Sequence, residues 1–295
     1  MIGFYLFLLF EKFLMLLPKK VRRAFFLSLA SLAYTLSKRY TKVVRQNLEF
    51  VYGNDLNDNF VEEVTKYNYK SLLLNFMYTM EGRYYSIEDV AKKVKFENLE
   101  VIKKVQEQNR PIVFITAHYG AWELGAEVLS ALVEPIMIVY KRMNNPYFQD
   151  YLLSSRAKWK IAYTEKHGAA KDLIKRLRSK QAIAILIDTN VNKLDGMEVE
   201  FLNHPTLQLK STAHLARKFD AALIPILIHA DEKDENYTIK VYEELVPPKT
   251  EDEQSDVLIS TQMQASWLSR EILKEPKPWF WLHRRWKNDY PNIYK

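Results

Sequence analysis

Residues 111–125, PIVFITAHYGAWELG, constrain this chain more than any other stretch. Ile112-Val113-Phe114-Ile115 is a continuous apolar run of the kind carried by a strand buried on both faces. His118 follows, then Gly120, and a helix opens near Trp122 with Glu123 in its first turn. His118 and Glu123 are five residues apart. On one helix they would point about 140° away from each other. They can meet only if His118 precedes the helix, on the loop leaving the strand. A strand, a turn and a helix in this order belong to an α/β sheet, where ligands gather at the carboxyl ends of the strands.

The residue types carry a chemistry. A neutral imidazole takes a proton from a hydroxyl near pH 7. A carboxylate on its other nitrogen fixes the tautomer and stabilises the imidazolium. The helix N-terminus offers N–H groups and a positive dipole end for a developing oxyanion. The chain has no cysteine and no G-x-S-x-G elbow. A His–Glu dyad without a protein nucleophile predicts attack by a hydroxyl of the substrate. The plainer alternative is a buried histidine that happens to precede a helix.

At 295 residues the chain suits one large domain or one and a half. Seven glycines, with no G-x-G-x-x-G and no G-x-x-x-x-G-K-[ST], speak against a glycine-rich phosphate loop. The absence of cysteine excludes disulfides and thiolate zinc sites. No histidine spacing suits a metal, so neither metal nor cofactor is expected. The net charge of +7 suits anionic lipid, nucleic acid or an acidic protein.

The N-terminus narrows that choice. In residues 2–17, fourteen of sixteen are apolar or glycine, interrupted only by Glu11 and Lys12. As a helix the run covers ~24 Å, short of the ~30 Å hydrocarbon core. Pro18 follows, then Lys19, Lys20, Arg22 and Arg23, on the wrong side of the apolar run for a secretory signal. Residues 1–40 are therefore expected to be a membrane anchor with an interfacial helix, and the positive-inside tendency keeps the rest in the cytoplasm. Removing residues 1–17 is expected to leave the remainder folded.

Residues 41–295 read as an α/β domain with a mainly parallel central sheet covered by helices. Helices are expected over 41–52, 59–80, 146–158, 169–179, 207–219 and 254–273. Strands are expected over 112–115, 135–140, 182–187 and 222–228, with an edge strand over 237–245. Strand ends deliver Lys141, Arg142 and Asp188 toward the edge that holds His118, with Arg156 further along. Residues 278–287, PWFWLHRRWK, interleave aromatics with Arg284 and Arg285. That mixture suits a membrane interface, stacking on single-stranded nucleic acid, or an aromatic core segment with exposed cations. The helix over 169–179 and its flanks carry Lys171, Lys175, Arg176, Arg178 and Lys180, a face suited to an acidic carrier protein.

AHYGAWELG, VYKRMNNP with Arg156 downstream, AIAILIDTN, LKSTAHLAR with Pro225, and PWFWLHRRWK occur in that order. Together they resemble the late acyltransferases of lipid A biosynthesis, the lauroyl/myristoyl acyltransferases. These lie within the wider glycerolipid acyltransferase superfamily marked by His-x4-Asp/Glu. The resemblance implies a bacterial inner-membrane enzyme facing the cytoplasm. It implies transfer of an acyl group from acyl-acyl carrier protein to a 3-hydroxyl on an acyl chain of a lipid A precursor, with no cofactor and no nucleic acid. His118 and Glu123 carry over as the catalytic pair, and Lys141, Arg156 and Asp188 fall on positions used around the site. Arg142, Arg284 and Arg285 join them as expected substrate contacts. The family often has Asn where Ala121 stands, Arg where Lys141 stands, and Gly where Lys180 and Asn203 stand. The alternatives are an acyltransferase acting on another glycerolipid or glycolipid, or a non-catalytic basic protein that binds membrane phospholipid.

Overall fold

The structure, a computed structural model, describes residues 2–231, 233 and 235–295. Met1, the first residue of the expected anchor, lies outside them. The chain begins with four helices, α1 (Ile2–Leu16), α2 (Lys19–Leu36), α3 (Lys38–Tyr52) and α4 (Asp58–Gly82). The sheet-forming part follows as α5 (Ile87–Ala91), β1 (Val94–Glu97), α6 (Glu100–Glu107), β2 (Ile112–Thr116), α7 (Trp122–Leu132), β3 (Ile136–Tyr140), α8 (Pro146–Arg156), β4 (Ala162–Glu165), α9 (Ala169–Arg178) and β5 (Ala182–Leu186). A hairpin comes next, β6 (Gly196–Phe201) and β7 (His204–Leu209), then α10 (Ser211–Phe219), β8 (Ala222–Ala230), β9 (Tyr237–Val241) and α11 (Glu253–Lys274).

The main sheet has seven strands in the order β1-β9-β8-β2-β5-β3-β4. From β8 to β4 all neighbours are parallel, while β9 runs antiparallel to β8. The sheet is thus mainly parallel and helix-covered, and its central strands are apolar up to their carboxyl ends because both faces are covered. The expected edge strand over 237–245 is β9, and β1 covers its outer side. The expected helix over 207–219 divides in two. Leu202 and Asn203 both take left-handed φ, 51° and 65°, and close β6 onto β7 in a tight hairpin. Asn203 is suited to that turn, and helix α10 starts only at Ser211.

The N-terminal helices lie on the body of the protein. No helix among the described residues is long and apolar enough to cross a membrane. Helix α1 is apolar on both sides. Phe4 and Phe7 pack on Phe148 and Tyr151 of α8, Leu14 is buried, and Ile2, Leu6, Leu9, Phe13 and Leu16 form an exposed stripe. Of its two charged residues, Lys12 is exposed and Glu11 is buried. Glu11 is 1% exposed and accepts a hydrogen bond from the Tyr151 hydroxyl. Arg22 does not join the basic surface either, because it is buried in a 2.6 Å ion pair with Glu81 of α4.

Candidate active site

The site forms where β2 ends beside β5. His118 leaves β2, and Asp188 leaves β5 two residues past its last strand residue. Strand order makes them neighbours although β3 and β4 lie between them in sequence. The His118 amide donates to Asp188 Oδ2 at 2.8 Å, and Nδ1 of the ring lies 3.0 Å from Oδ1. The Trp279 indole N–H donates to Oδ2 at 3.0 Å. Asp188 is 3% exposed, whereas the His118 side chain keeps 28% of its surface open.

The loop from β2 to α7 is locked by its neighbours. Gly120 takes φ +59°, and a Cβ there would stand 2.0 Å from the carbonyl oxygen of Ile228, so only glycine fits. The Phe280 amide donates to the His118 carbonyl, and the Gly120 amide donates to Pro278. Ala121 stands at the N-cap of α7 and has no side-chain oxygen to offer. Asn75, reaching across from α4, accepts from the Glu123 amide and donates to the Gly120 carbonyl. The cap that residue 121 lacks is thereby supplied from another helix.

Electrostatics follow from burial and partners. Burial opposes the charged form of His118, but the Asp188 carboxylate, helped by Glu123, outweighs it and raises the imidazole above its ordinary value. Burial likewise opposes ionisation of Asp188, and His118 outweighs it, holding the carboxyl below the usual range. His283 accepts from the Asn190 amide at Nε2, and burial pushes its pKa down to about 4, so it is neutral at pH 7. The rings of Trp122 and Phe280 stand 5.6 and 6.0 Å from the imidazole and wall the site.

Two sequence expectations change here. Glu123 was expected to hold the histidine ring, but its carboxylate pairs with Arg156, from the end of α8, and Asp188 takes Nδ1. Glu123 sits in the first turn of α7, pointing at the guanidinium, and acts on His118 through space. Arg285 was expected to meet substrate, but it is fully buried. It donates to the Leu207 carbonyl and to Gln208 Oε1 and lies over the Phe201 ring. The tryptophans around it are buried too. Trp279 makes edge-on contacts with both Trp281 and Trp286, and the N–H of each of the three finds an acceptor. The aromatic–basic segment is therefore a core element that braces the hairpin and the loop after β2 rather than an interfacial belt.

The remaining expected residues are more open. Lys141 and Arg142 are exposed on the loop after β3, at the same sheet edge as His118. Arg284 is half-buried over the Tyr294 ring. Lys175, Arg178 and Lys180 lie near the start of β5, at the opposite end of the sheet from His118. Sequence reasoning missed Asn75 and Trp279. Asn75 gives no local signal, because its role depends on how α4 crosses the loop.

A helix-covered parallel sheet with an open histidine backed by a buried aspartate defines a site built to activate a hydroxyl. The chain belongs to the bacterial lipid A biosynthesis acyltransferase family, whose pattern matches residues 1–288. It is an acyltransferase of that family. It is similar to the lipid A biosynthesis lauroyltransferase of Escherichia coli (strain K12), with 24% identity over 88% of this chain and 83% of that protein. It is similar to the lipid A biosynthesis palmitoleoyltransferase of the same strain, with 21% identity over 88% of this chain and 82% of that protein. Among solved structures it matches the 1-acyl-sn-glycerophosphate (LPA) acyltransferase PlsC from Thermotoga maritima, with TM-score 0.40 and 10% identity over 88% of this chain and 98% of that one.

Proposed function

We propose that the chain moves a fatty acyl group from acyl-acyl carrier protein to a 3-hydroxyl on an acyl chain of a lipid A precursor, at the cytoplasmic face of the bacterial inner membrane. The observation that carries this reading is His118, its side chain 28% exposed, with Nδ1 against buried Asp188. Nε2 is then the nitrogen that removes the acceptor proton. The alkoxide attacks the thioester carbonyl, the tetrahedral intermediate expels the carrier thiolate, and the imidazolium returns its proton to that sulfur. Asp188 stabilises the imidazolium. Glu123 holds Arg156 beside the site, where its charge meets the oxyanion. Lys141 and Arg142 suit the acidic carrier, and Arg284 suits an acceptor phosphate. The exposed apolar stripe of α1, followed by exposed Lys20 at the start of α2, supports contact with membrane phospholipid.

The test incubates purified protein with acyl-acyl carrier protein and a lipid A precursor and follows acceptor mass. The expected result is a gain of one acyl group, abolished in His118→Ala. A mass gain that persists in His118→Ala overturns the base assignment, and no gain with intact thioester overturns the reaction.

A further inference from the structure

Glu127 lies one helical turn beyond Glu123 on α7 and is 1% exposed. Neither of its carboxyl oxygens has a hydrogen-bond partner among the described residues. Buried carboxyls are ordinarily paired, because leaving water without a replacement partner is costly. The backbone nevertheless makes room for this one. Gly82, at the end of α4, faces it so closely that a Cβ there would stand 2.8 Å from Oε2. Leucine or methionine would fill such a place without the cost, so packing alone does not account for an acid.

Its neighbours do account for it. Residues four apart share a helix face, so Glu127 lies one turn along the same face from Glu123, the partner of Arg156, which is 8% exposed. Arg156 donates from Nη2 to Glu123, and its charge also acts on Glu127. A guanidinium has five N–H donors, enough to serve either carboxyl. The other charged or titratable groups nearby are Lys158 after α8, Tyr163 on β4, and the Glu81–Arg22 pair between α4 and α2. A cavity of about 310 Å³ lined by Glu127 and Gly82 adds Lys19, Asp89, Lys92 and Lys93 and the phenols of Tyr78, Tyr85 and Tyr237.

We propose that Glu127 is a positioning residue for the transfer step: as the neutral acid it leaves Arg156 committed to Glu123, and once ionised it draws Arg156 away. This rests on the acyl-transfer reading above. Burial, and then the Glu123 charge, hold Glu127 well above the usual carboxylate range, with Arg156 and Lys158 opposing. While the proton stays on Glu127, one carboxylate meets one guanidinium. When the proton leaves to water, Arg156 faces two carboxylates a turn apart and its hold on Glu123 loosens.

The full chain and Glu127→Gln are compared by the ratio of kcat at alkaline pH to kcat at neutral pH. Glutamine cannot ionise, so its ratio is expected to exceed the wild-type ratio by about fivefold or more, as one ionisation is removed from the alkaline limb. Superimposable normalised profiles overturn the proposal. A second measurement needs no turnover. The infrared carbonyl band of a protonated acid is expected in the wild-type protein and is missing in Glu127→Gln. It disappears as pH rises, and in Arg156→Gln the disappearance moves to higher pH, because the arginine favours the ionised form. A band that survives in Glu127→Gln, or a pH dependence unmoved in Arg156→Gln, overturns the proposal. Absent turnover with the band behaving as described counts against the acyl-transfer reading alone.

Discussion

Glu11, on the first helix, accepts a 2.7 Å hydrogen bond from the hydroxyl of Tyr151, on the helix that ends in Arg156. Arg83 completes the contact, 3.4 Å from Glu11 and stacked 4.4 Å from the Tyr151 ring centroid. The N-terminal helix is therefore tied to the element that delivers the site's arginine. Glu11→Ala leaves the Tyr151 hydroxyl and Arg83 without their shared partner, and is expected to cost roughly 1–3 kcal/mol of stability. It is also expected to lower kcat more than it raises KM. Thermal melting and steady-state kinetics check both. Removing residues 2–17 strips Phe4, Phe7 and Glu11 together, so the truncated chain is expected to melt lower than Glu11→Ala. The remainder is still expected to fold, with lower stability.

The base is tested by pH. His118→Ala is expected to lower turnover by roughly 10²–10⁴-fold. In the wild-type protein, rate falls as pH drops through the raised His118 value, since protonation removes the base. Asp188→Asn removes the charge that raises it, so the acid limb moves to lower pH while the maximum rate falls. The stability sign is opposite. A raised histidine stabilises the fold below its unfolded value, and that contribution is lost as pH rises through the folded value. Profiles of kcat/KM and of melting temperature against pH separate the two effects.

The basic surface divides by sheet end. Lys141→Glu with Arg142→Glu is expected to raise KM for the acyl carrier several-fold and to flatten its salt dependence. Lys175→Glu with Arg178→Glu, at the far end of the sheet, is expected to leave that KM within about twofold. Initial rates with the carrier varied at two salt concentrations decide the matter.

Arg285 and Arg284 are expected to behave differently. Arg285→Ala empties a fully buried position and orphans Gln208 Oε1. It is expected to cost about 2–4 kcal/mol and to depress activity toward both substrates alike. Arg284→Ala removes a half-buried cation over Tyr294, and a change below about 1 kcal/mol is expected. Melting curves for the two single variants check this.

The parallel sheet was legible because β/α alternation is local. Buried runs such as Ile112–Thr116 and Ala182–Leu186 announce themselves by composition. The hairpin was less so, because Leu202 in a left-handed turn is an unusual residue for that backbone. His118 and Asp188 were both visible as site residues, but their bond depends on β5 lying next to β2, which strand order decides and sequence order hides. The same gap misassigned Glu123, since its partner arrives from α8, outside the motif. Tryptophans beside arginines carry the same composition whether they face lipid or the core. Only the acceptors waiting at Asp188, Pro276 and Thr206 distinguish the two.

Trp122 alone among the six tryptophans is not fully buried, and its ring is the one that touches the imidazole. The other five indoles are buried, and of these Trp279 reaches the site only through its N–H bond to Asp188. The protein thus carries an optical gauge of its own base. Emission from Trp122 should dim when His118 takes up a proton and recover when it lets go, so a fluorimeter can follow that proton in the unlabelled chain without any acyl donor present.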